Sequence, residues 1–301
     1  MIDCARVKRR FSAFLCAGGL VVAGAAIVFL FPGQPVYHGR RLSAWVADLH
    51  PRVSEARQQK AELALRAIGT NALPYLLSLL EHREPRLILE FRGLSQKTKT
   101  LLRMDPVYEL PWVAETERDI QLNAAFAALG PCTRAALPAL TNLLLRPQSA
   151  AVSAFALSRI GPEAFAPLAH AIQSRHAEVR AAAAGALGTV PGDMSAILPS
   201  LHAALADPDK FVRINAVLSL GQIAETNPDA VLDDLIRGLR DPSPSVKILA
   251  ADFLARLGEG ARPAVPELVN MAEGLDRLAS GKAVSVLKQI APETAAKLEA
   301  N

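Results

Sequence analysis

The chain has 301 residues, of which 51% are hydrophobic and 5% aromatic, and it carries a formal net charge of +4. Residues 1–31 hold four basic residues and one acidic residue, so the rest of the chain is nearly neutral at +1. A nucleic-acid binder is expected to carry a basic face, and this balance argues against that class. The three cysteines form no CxxC motif, so the sequence predicts neither a metal site nor a cofactor.

Residues 11–31 read FSAFLCAGGLVVAGAAIVFLF and contain no charged side chain. About 20 apolar residues span a bilayer as a helix, and the apolar core of a cleaved signal peptide has only about 7–15. The segment therefore predicts an uncleaved transmembrane anchor, with a cleaved signal peptide as the alternative. The basic residues of segment 1–10 favour the cytoplasmic side. We expect a single-pass protein of a bacterial inner membrane whose remaining chain lies on the periplasmic side.

Residues 32–51 are predicted to form a linker and a short capping helix. Within RLSAWVADLH, the residues Leu42, Trp45, Val46 and Leu49 recur at helical spacing. The apolar face of this helix would close the exposed end of the helical array that follows. The alternative is that Trp45 lies on the membrane surface beside the anchor.

A helical phrase recurs through residues 52–301, and it ends one helix at a glycine and opens the next near a proline. Its copies are IGTNALPYLLSLL at 68–80, LGPCTRAALPALTNLL at 129–144, IGPEAFAPLAHAI at 160–172 and LGEGARPAVPELVNMA at 257–272. Further helix ends are predicted at Gly188 and Gly221. Two helices per unit and a period of about 30–37 residues indicate an all-α solenoid, an α-α superhelix of roughly six helical pairs with almost no sheet.

The period is interrupted once, because Gly69 and Gly130 lie two repeat lengths apart. We predict an irregular insertion over about residues 81–118. Its residues indicate a solvated amphipathic helix, and the alternative is an element that binds an acidic partner or anionic lipid. Trp112 is expected to pack beneath this loop, and the alternative is an exposed anchor for a partner. The candidate partner-binding residues are Arg86, Phe91, Arg92, Lys97, Lys99, Arg103 and Trp112.

A second pattern consists of basic residues spaced 33, 34 and 35 residues apart, each preceded six positions earlier by a hydroxyl or acidic residue. The basic positions are Arg180, Arg213, Lys247 and Lys282. The earlier positions are Ser174, Asp207, Asp241 and Asp276. This pattern resembles the HEAT repeat, and the resemblance implies a hydrogen-bonded ladder between neighbouring units. A ligand-binding basic stripe is the alternative.

The layout of anchor, PVYHGRRLSAWVADL at 35–49, irregular segment and regular repeats also resembles membrane-anchored HEAT-repeat proteins common in Verrucomicrobia and their relatives. That resemblance implies where the protein is located and says little about its activity.

No catalytic motif stands out, since the six histidines have no paired spacing and the chain has neither a P-loop nor a GxSxG elbow. The leading hypothesis is a non-enzymatic, membrane-tethered scaffold that binds a protein or peptide. The alternatives are a HEAT-like enzyme, similar to bilin lyases or DNA glycosylases, and a binder of nucleic acid or another anionic polymer.

Overall fold

The structure is a computed structural model that describes residues 34–81 and 117–300. The predicted N-terminal segment 1–10 and the predicted anchor 11–31 lie outside the described residues. So do all seven candidate partner-binding residues between positions 86 and 112.

Within the described ranges the chain forms one short β-hairpin and fifteen α-helices, which we number in chain order. The strands are β1 (Val36–Tyr37) and β2 (Arg40–Arg41). The helices are α1 (Leu42–Ala47), α2 (Glu55–Ile68), α3 (Leu73–Glu81), α4 (Glu117–Leu129), α5 (Leu137–Leu144), α6 (Ala150–Ser158), α7 (Phe165–Ala171), α8 (Ala177–Leu187), α9 (Met194–Leu205), α10 (Lys210–Ala224), α11 (Pro228–Gly238), α12 (Pro244–Leu257), α13 (Val265–Ala272), α14 (Arg277–Ile290) and α15 (Pro292–Ala300). Odd-numbered helices up to α13 are the first, or A, helix of a pair, and even-numbered helices are the second, or B, helix.

The pairs stack side by side as an α-solenoid, because the B helices pack against the B helices before and after them and, in every pair except α3 and α4, against their own A helix. Seven pairs are described, one more than the sequence indicated. The additional pair arises because α1, which was expected only to cap the array, packs on α2 as the first helix of a repeat.

The recurring phrase folds as a glycine turn, a short 3-10 segment and an A helix. Gly69 and Gly130 have φ of 59° and 51°, a left-handed conformation that costs glycine little and other residues more. The turns lead into 3-10 segments at Gly69–Ala72 and Gly130–Ala136, from which α3 and α5 continue. The prediction that Gly221 ends a helix is wrong, since α10 runs on to Ala224.

Gly221 serves close packing instead, because a Cβ there would lie 2.3 Å from the ring of Phe253 on the next B helix. A Cβ on Gly188 would lie 2.5 Å from the backbone of Ser219, whose hydroxyl donates to the carbonyl of Ala184 at 2.6 Å. Neighbouring B helices thus approach closely through small residues, while neighbouring A helices touch far less.

The N-terminal end is closed by the hairpin and α1. Trp45 is only 8% exposed, and its indole Nε1 donates to the carbonyl of Tyr37 at 3.3 Å. The guanidinium of Arg40 lies 4.1 Å from the centroid of the Trp45 ring and donates to the buried carboxylate of Asp48 at 2.9 Å. Arg57 of α2 also pairs with Asp48. These contacts fix α1 onto the first B helix.

Residues Glu55–Glu81 are, by length and composition, long and apolar enough to cross a membrane. The left-handed Gly69 divides this run into α2 and α3. Its buried residues, among them Leu65 and Leu76, belong to the solenoid core. The packing of the first two repeats therefore accounts for its apolar character.

Helices α3 and α4 flank residues 82–116. Helix α3 packs against the A helix α5, and α4 packs against the B helices α2 and α6. They therefore take the A and B positions of the second repeat. In the repeats from the fourth onward, a short turn connects the A helix to the B helix at one edge of the array. We name this edge, which carries residues 173–176, 206–209, 240–243 and 273–276, the turn edge.

Candidate interaction surface

Two arginines join consecutive repeats along the turn edge. Arg180 donates from Nε and Nη2 to both carboxylate oxygens of Asp207 in the next repeat, at 2.6 and 2.8 Å. Arg213 binds Asp241 in the same bidentate way, at 2.7 and 3.1 Å. The remaining Nη1 of each arginine donates to a backbone carbonyl of its own turn, that of Ser174 or Asp207, at 2.9 and 2.8 Å. The two rungs therefore have the same construction.

The carboxylates of both rungs are engaged a second time. Asp207 accepts the backbone N–H of Asp209 at 2.8 Å, and Asp241 accepts that of Ser243 at 2.7 Å. The hydrogen bond to its carboxylate is the main cause that raises the pKa of each arginine above its ordinary value. Since the guanidinium donors are occupied within the chain, these arginines are poorly placed to bind an anionic ligand.

Equivalent positions of the repeats can be read from the backbone. In each turn, the last residue before the N-cap that donates its N–H to the carbonyl three positions earlier lies two positions before that N-cap. The donating residues are Ser174, Asp207, Asp241 and Gly274. The N-caps are His176, Asp209, Ser243 and Asp276. The register places Gly274, rather than Asp276, at the position of the ladder acids.

The structure gives the predicted ladder residues of the seventh repeat other partners. The carboxylate of Asp276 caps α14 by accepting the N–H of Ala279 at 2.8 Å. Lys282 forms an ion pair with Asp252, which lies on the preceding B helix. The spacing in the sequence aligned this repeat two residues too far along the chain. The buried residue equivalent to Val246 is Ala279, so the position of the ladder base lies before Lys282.

Lys247 occupies the position that Arg180 and Arg213 hold in the two earlier repeats. It is half-buried, and within residues 34–81 and 117–300 it forms no ion pair. Gly274 has no carboxylate to offer it. The ladder thus has two rungs and then an open third position.

Further side-chain contacts link the repeats away from the ladder, and no spacing pattern in the sequence indicates them. His202 of α9 contacts the buried Asp234 of α11 at 2.5 Å, and Arg240 pairs with Glu267 of α13. The basic member stands in the earlier repeat in both pairs, as in the ladder. Their sequence separations of 32 and 27 residues are unremarkable, so only the packing of neighbouring repeats reveals them.

The outer surface of the B helices, which we call the B face, presents apolar and polar side chains together. On α10 the partly exposed residues Phe211, Asn215, Leu218 and Gln222 recur every three or four positions. Helix α12 continues this surface with partly exposed Ile248, Leu249 and Asp252, and with exposed Arg256. Phe211, Leu218, Ile248 and Leu249 are partly buried against the core, and the accessible parts of these side chains form a surface that is suited to contact with another molecule.

Cations lie beside aromatic rings on three of the B helices. Arg159 lies 5.4 Å from the ring centroid of Phe155, and Lys210 lies 4.9 Å from that of Phe211. Arg256 lies 5.0 Å from the ring of Phe253. Aromatic residues and arginine are enriched at protein interfaces, so this composition favours a protein partner.

A cleft of about 360 Å³ opens between the fifth and sixth repeats, at the edge opposite the turn edge. Phe253 and Leu232 line its apolar part, while Glu225, Asp229 and Arg256 line its polar part. No Ser, Cys or His lines this cleft. Throughout residues 34–81 and 117–300, no group of three or more His, Cys, Asp or Glu side chains is arranged to hold a metal ion.

Comparison with solved structures agrees with this architecture. A structure of Kap95p with RanGDP matches with a TM-score of 0.51 and 11% identity, over 91% of this chain and 34% of the other. A crystal structure of an engineered protein matches with a TM-score of 0.39 and 20% identity, over 85% of this chain and 80% of the other. At these identities the likeness to Kap95p concerns the fold alone. None of the curated proteins matches the chain.

The family model for HEAT repeats matches residues 137–221 and again residues 198–288. The two matches overlap and together span just over half of the chain. They cover nearly all of helices α5 to α14, including both ladder rungs. The chain belongs to the HEAT-repeat family.

Proposed function

We propose that the chain is a non-enzymatic, membrane-tethered HEAT-repeat scaffold whose B face binds a protein or peptide partner. The observation that carries this proposal is the B face itself. Partly exposed Phe211, Leu218 and Ile248 lie there among charged side chains on successive B helices. Apolar anchors surrounded by polar side chains are typical of protein interfaces.

The packing of the array supports the same use. The B helices are held in fixed relative positions by close contacts such as Gly188 against Ser219 and by the buried ladder rungs. A rigid surface loses little conformational freedom when a partner binds. The related fold of Kap95p occurs in a complex with RanGDP, so protein binding is a use that this architecture supports.

Mixed charge favours a protein over a nucleic acid. Arg256 and Lys282 lie on the B face together with Asp252 and Glu178. A surface that follows a phosphate backbone would need an excess of basic side chains and would lose affinity steeply with added salt.

Photo-crosslinking tests the B face directly. We would place the photoreactive amino acid benzoylphenylalanine at Leu218 on the B face, and at the exposed Ala203 of the A helix α9 as the matched control. In native cells the first position should give one dominant protein adduct and the second should not. Equal adducts at both positions, or none at Leu218, would contradict the proposal.

The tether is a second part of the proposal, and the uncharged sequence of residues 11–31 supports it. In that arrangement residues 1–10 lie in the cytoplasm, and the chain after residue 31, with the solenoid from α1 onward and the insertion near 81–118, lies on the other side of the membrane. Protease added to bacterial spheroplasts should then degrade the solenoid without lysis of the inner membrane. Full protection until lysis would place the solenoid in the cytoplasm.

A further inference from the structure

The arginine–aspartate ladder stops at the seventh repeat although the backbone that carries it continues. The N–H of Gly274 donates to the carbonyl of Met271 at 3.3 Å, as Asp207 and Asp241 donate to their own helices at 3.2 Å. Gly274 therefore occupies the position of a ladder acid without supplying a carboxylate. Its φ lies outside the left-handed region, and a Cβ there would lie 3.1 Å from the carbonyl oxygen of Met271.

Lys247 is the basic residue that this missing acid would bind. It directly follows Val246, a fully buried residue equivalent to Val212, just as Arg213 follows Val212. Arg213 spans from its own turn to the next one, and the same place on α12 puts Lys247 between the turns of the sixth and seventh repeats. A half-buried ammonium group thus faces a position where the two preceding rungs each hold a carboxylate.

Two exposed leucines lie beside this open position. Leu275 is fully exposed, with a relative accessibility of 103%, and Leu278 in the first turn of α14 is 64% exposed. At the positions equivalent to Leu275, the two preceding repeats carry prolines, Pro208 and Pro242. Exposed apolar side chains next to an unpaired cation are a combination that a partner can cover.

The other charged side chains of this turn also affect which partner it can bind. The carboxylate of Asp276 is occupied as the N-cap of α14. Arg277 is exposed and forms no ion pair within the described residues, so it adds a second cation, whereas exposed Glu273 is the nearby acid. Two available cations and one free acid favour a partner that brings negative charge.

We propose that the turn of the seventh repeat binds an acidic segment of a partner protein. A carboxylate of that segment occupies the open rung position and pairs with Lys247, while a neighbouring apolar side chain covers Leu275 and Leu278. The segment thereby supplies the contact that Asp241 supplies to Arg213 within the chain. This site lies on the turn edge and not on the B face, so this proposal and the proposal of partner binding at the B face can fail independently.

The probe is an array of 12-residue peptides with randomised flanks around a central Leu-Asp-Leu, printed beside the same peptides with Leu-Asn-Leu. The full-length chain, kept in detergent micelles, is applied to the array. The aspartate peptides should bind about five- to tenfold more tightly, since a charge-assisted hydrogen bond replaces a neutral one. Equal binding of the two sets, or no binding of either, would overturn the proposal.

Two variants test the site itself. Gly274→Asp should place an internal carboxylate on Lys247 and remove the preference for aspartate peptides. Its control, Gly260→Asp, adds the same charge at an exposed glycine with open space around it and should leave the preference intact. Lys247→Gln should also remove the preference, whereas Lys60→Gln on α2 should not.

The outcomes for the variants are decisive in both directions. Loss of the preference in Gly274→Asp but not in Gly260→Asp identifies the open rung as the binding position. Retention of the full preference in Gly274→Asp contradicts the proposal, even if Lys247→Gln has reduced it. The circular dichroism of each variant, measured alongside, should match that of the parent chain.

Discussion

Replacing Asp241 by alanine should destabilise the array at the junction of the fifth and sixth repeats. The side chains of Arg213 and Asp241 are only 11% and 7% exposed. Removal of one member of a buried pair costs about 3–5 kcal/mol, because the other charge is left buried without compensation. Arg213 keeps two backbone carbonyl acceptors of its own turn. We therefore expect the lower end of that range, about 3 kcal/mol.

The assay is urea unfolding followed by circular dichroism at 222 nm, with Glu293→Ala as the matched control. Glu293 pairs with Arg262 at 3.3 Å, but both side chains are about 60% exposed, so its loss should cost less than about 1 kcal/mol. A double variant with Arg213→Met and Asp241→Leu should recover most of the lost stability, because no buried charge remains. If Asp241→Ala were no more harmful than Glu293→Ala, the reasoning on the ladder would be refuted.

Three further variants test the packing and the electrostatics. Gly188→Ala should destabilise the chain by about 1–3 kcal/mol in urea unfolding, because the new methyl group meets the backbone of the next B helix. Its control is Gly281→Ala, which has open space around it and should stabilise the chain by up to about 1 kcal/mol. Gly274→Asp should raise the thermal midpoint by completing a third rung. The hydrogen bond with Arg240 lowers the pKa of Glu267, so its stabilising contribution is present at neutral pH and lost as the pH falls through the folded-state pKa. Glu267→Gln should therefore flatten the loss of stability in acid, as followed by thermal unfolding between pH 3 and 7.

Each of these three variants also has a contradicting result. Equal effects of alanine at Gly188 and Gly281 would mean that the B helices are not in close contact there. A lower thermal midpoint for Gly274→Asp would show that this turn does not follow the backbone register of the earlier repeats. If Glu267→Gln lost stability in acid as steeply as the parent chain, the ion pair between Glu267 and Arg240 would not stabilise the folded chain.

Sequence patterns were sufficient for the architecture because its determinants are local. Glycine turns, such as those at Gly69 and Gly130, and the apolar spacing of the helices between them identify paired helices without knowledge of the packing. Gly221 was wrongly predicted to end a helix, because a glycine that makes room for the ring of Phe253 cannot be told from a helix-ending glycine by sequence alone. Close approach between helices is not encoded in local spacing.

The ladder was predictable only where the acidic residue stands two positions before the N-cap of the B helix. In the fifth and sixth repeats the expected residues, such as Arg213 and Asp241, are in contact. In the seventh repeat the spacing selected Asp276 and Lys282, whereas the register of buried residues selects Gly274. The pair of His202 and Asp234 lacked any pattern, since it depends on how two A helices lie beside each other.

Hydrogen–deuterium exchange of the full-length chain, alone and with its crosslinked partner, would test the central claim most directly. The account predicts slower exchange on the exposed sides of the B helices α10 and α12, near Phe211 and Ile248, with little change in the A helices α9 and α11. Protection confined to the A helices, or spread evenly over both layers, would contradict the assignment of the B face as the surface that holds the partner.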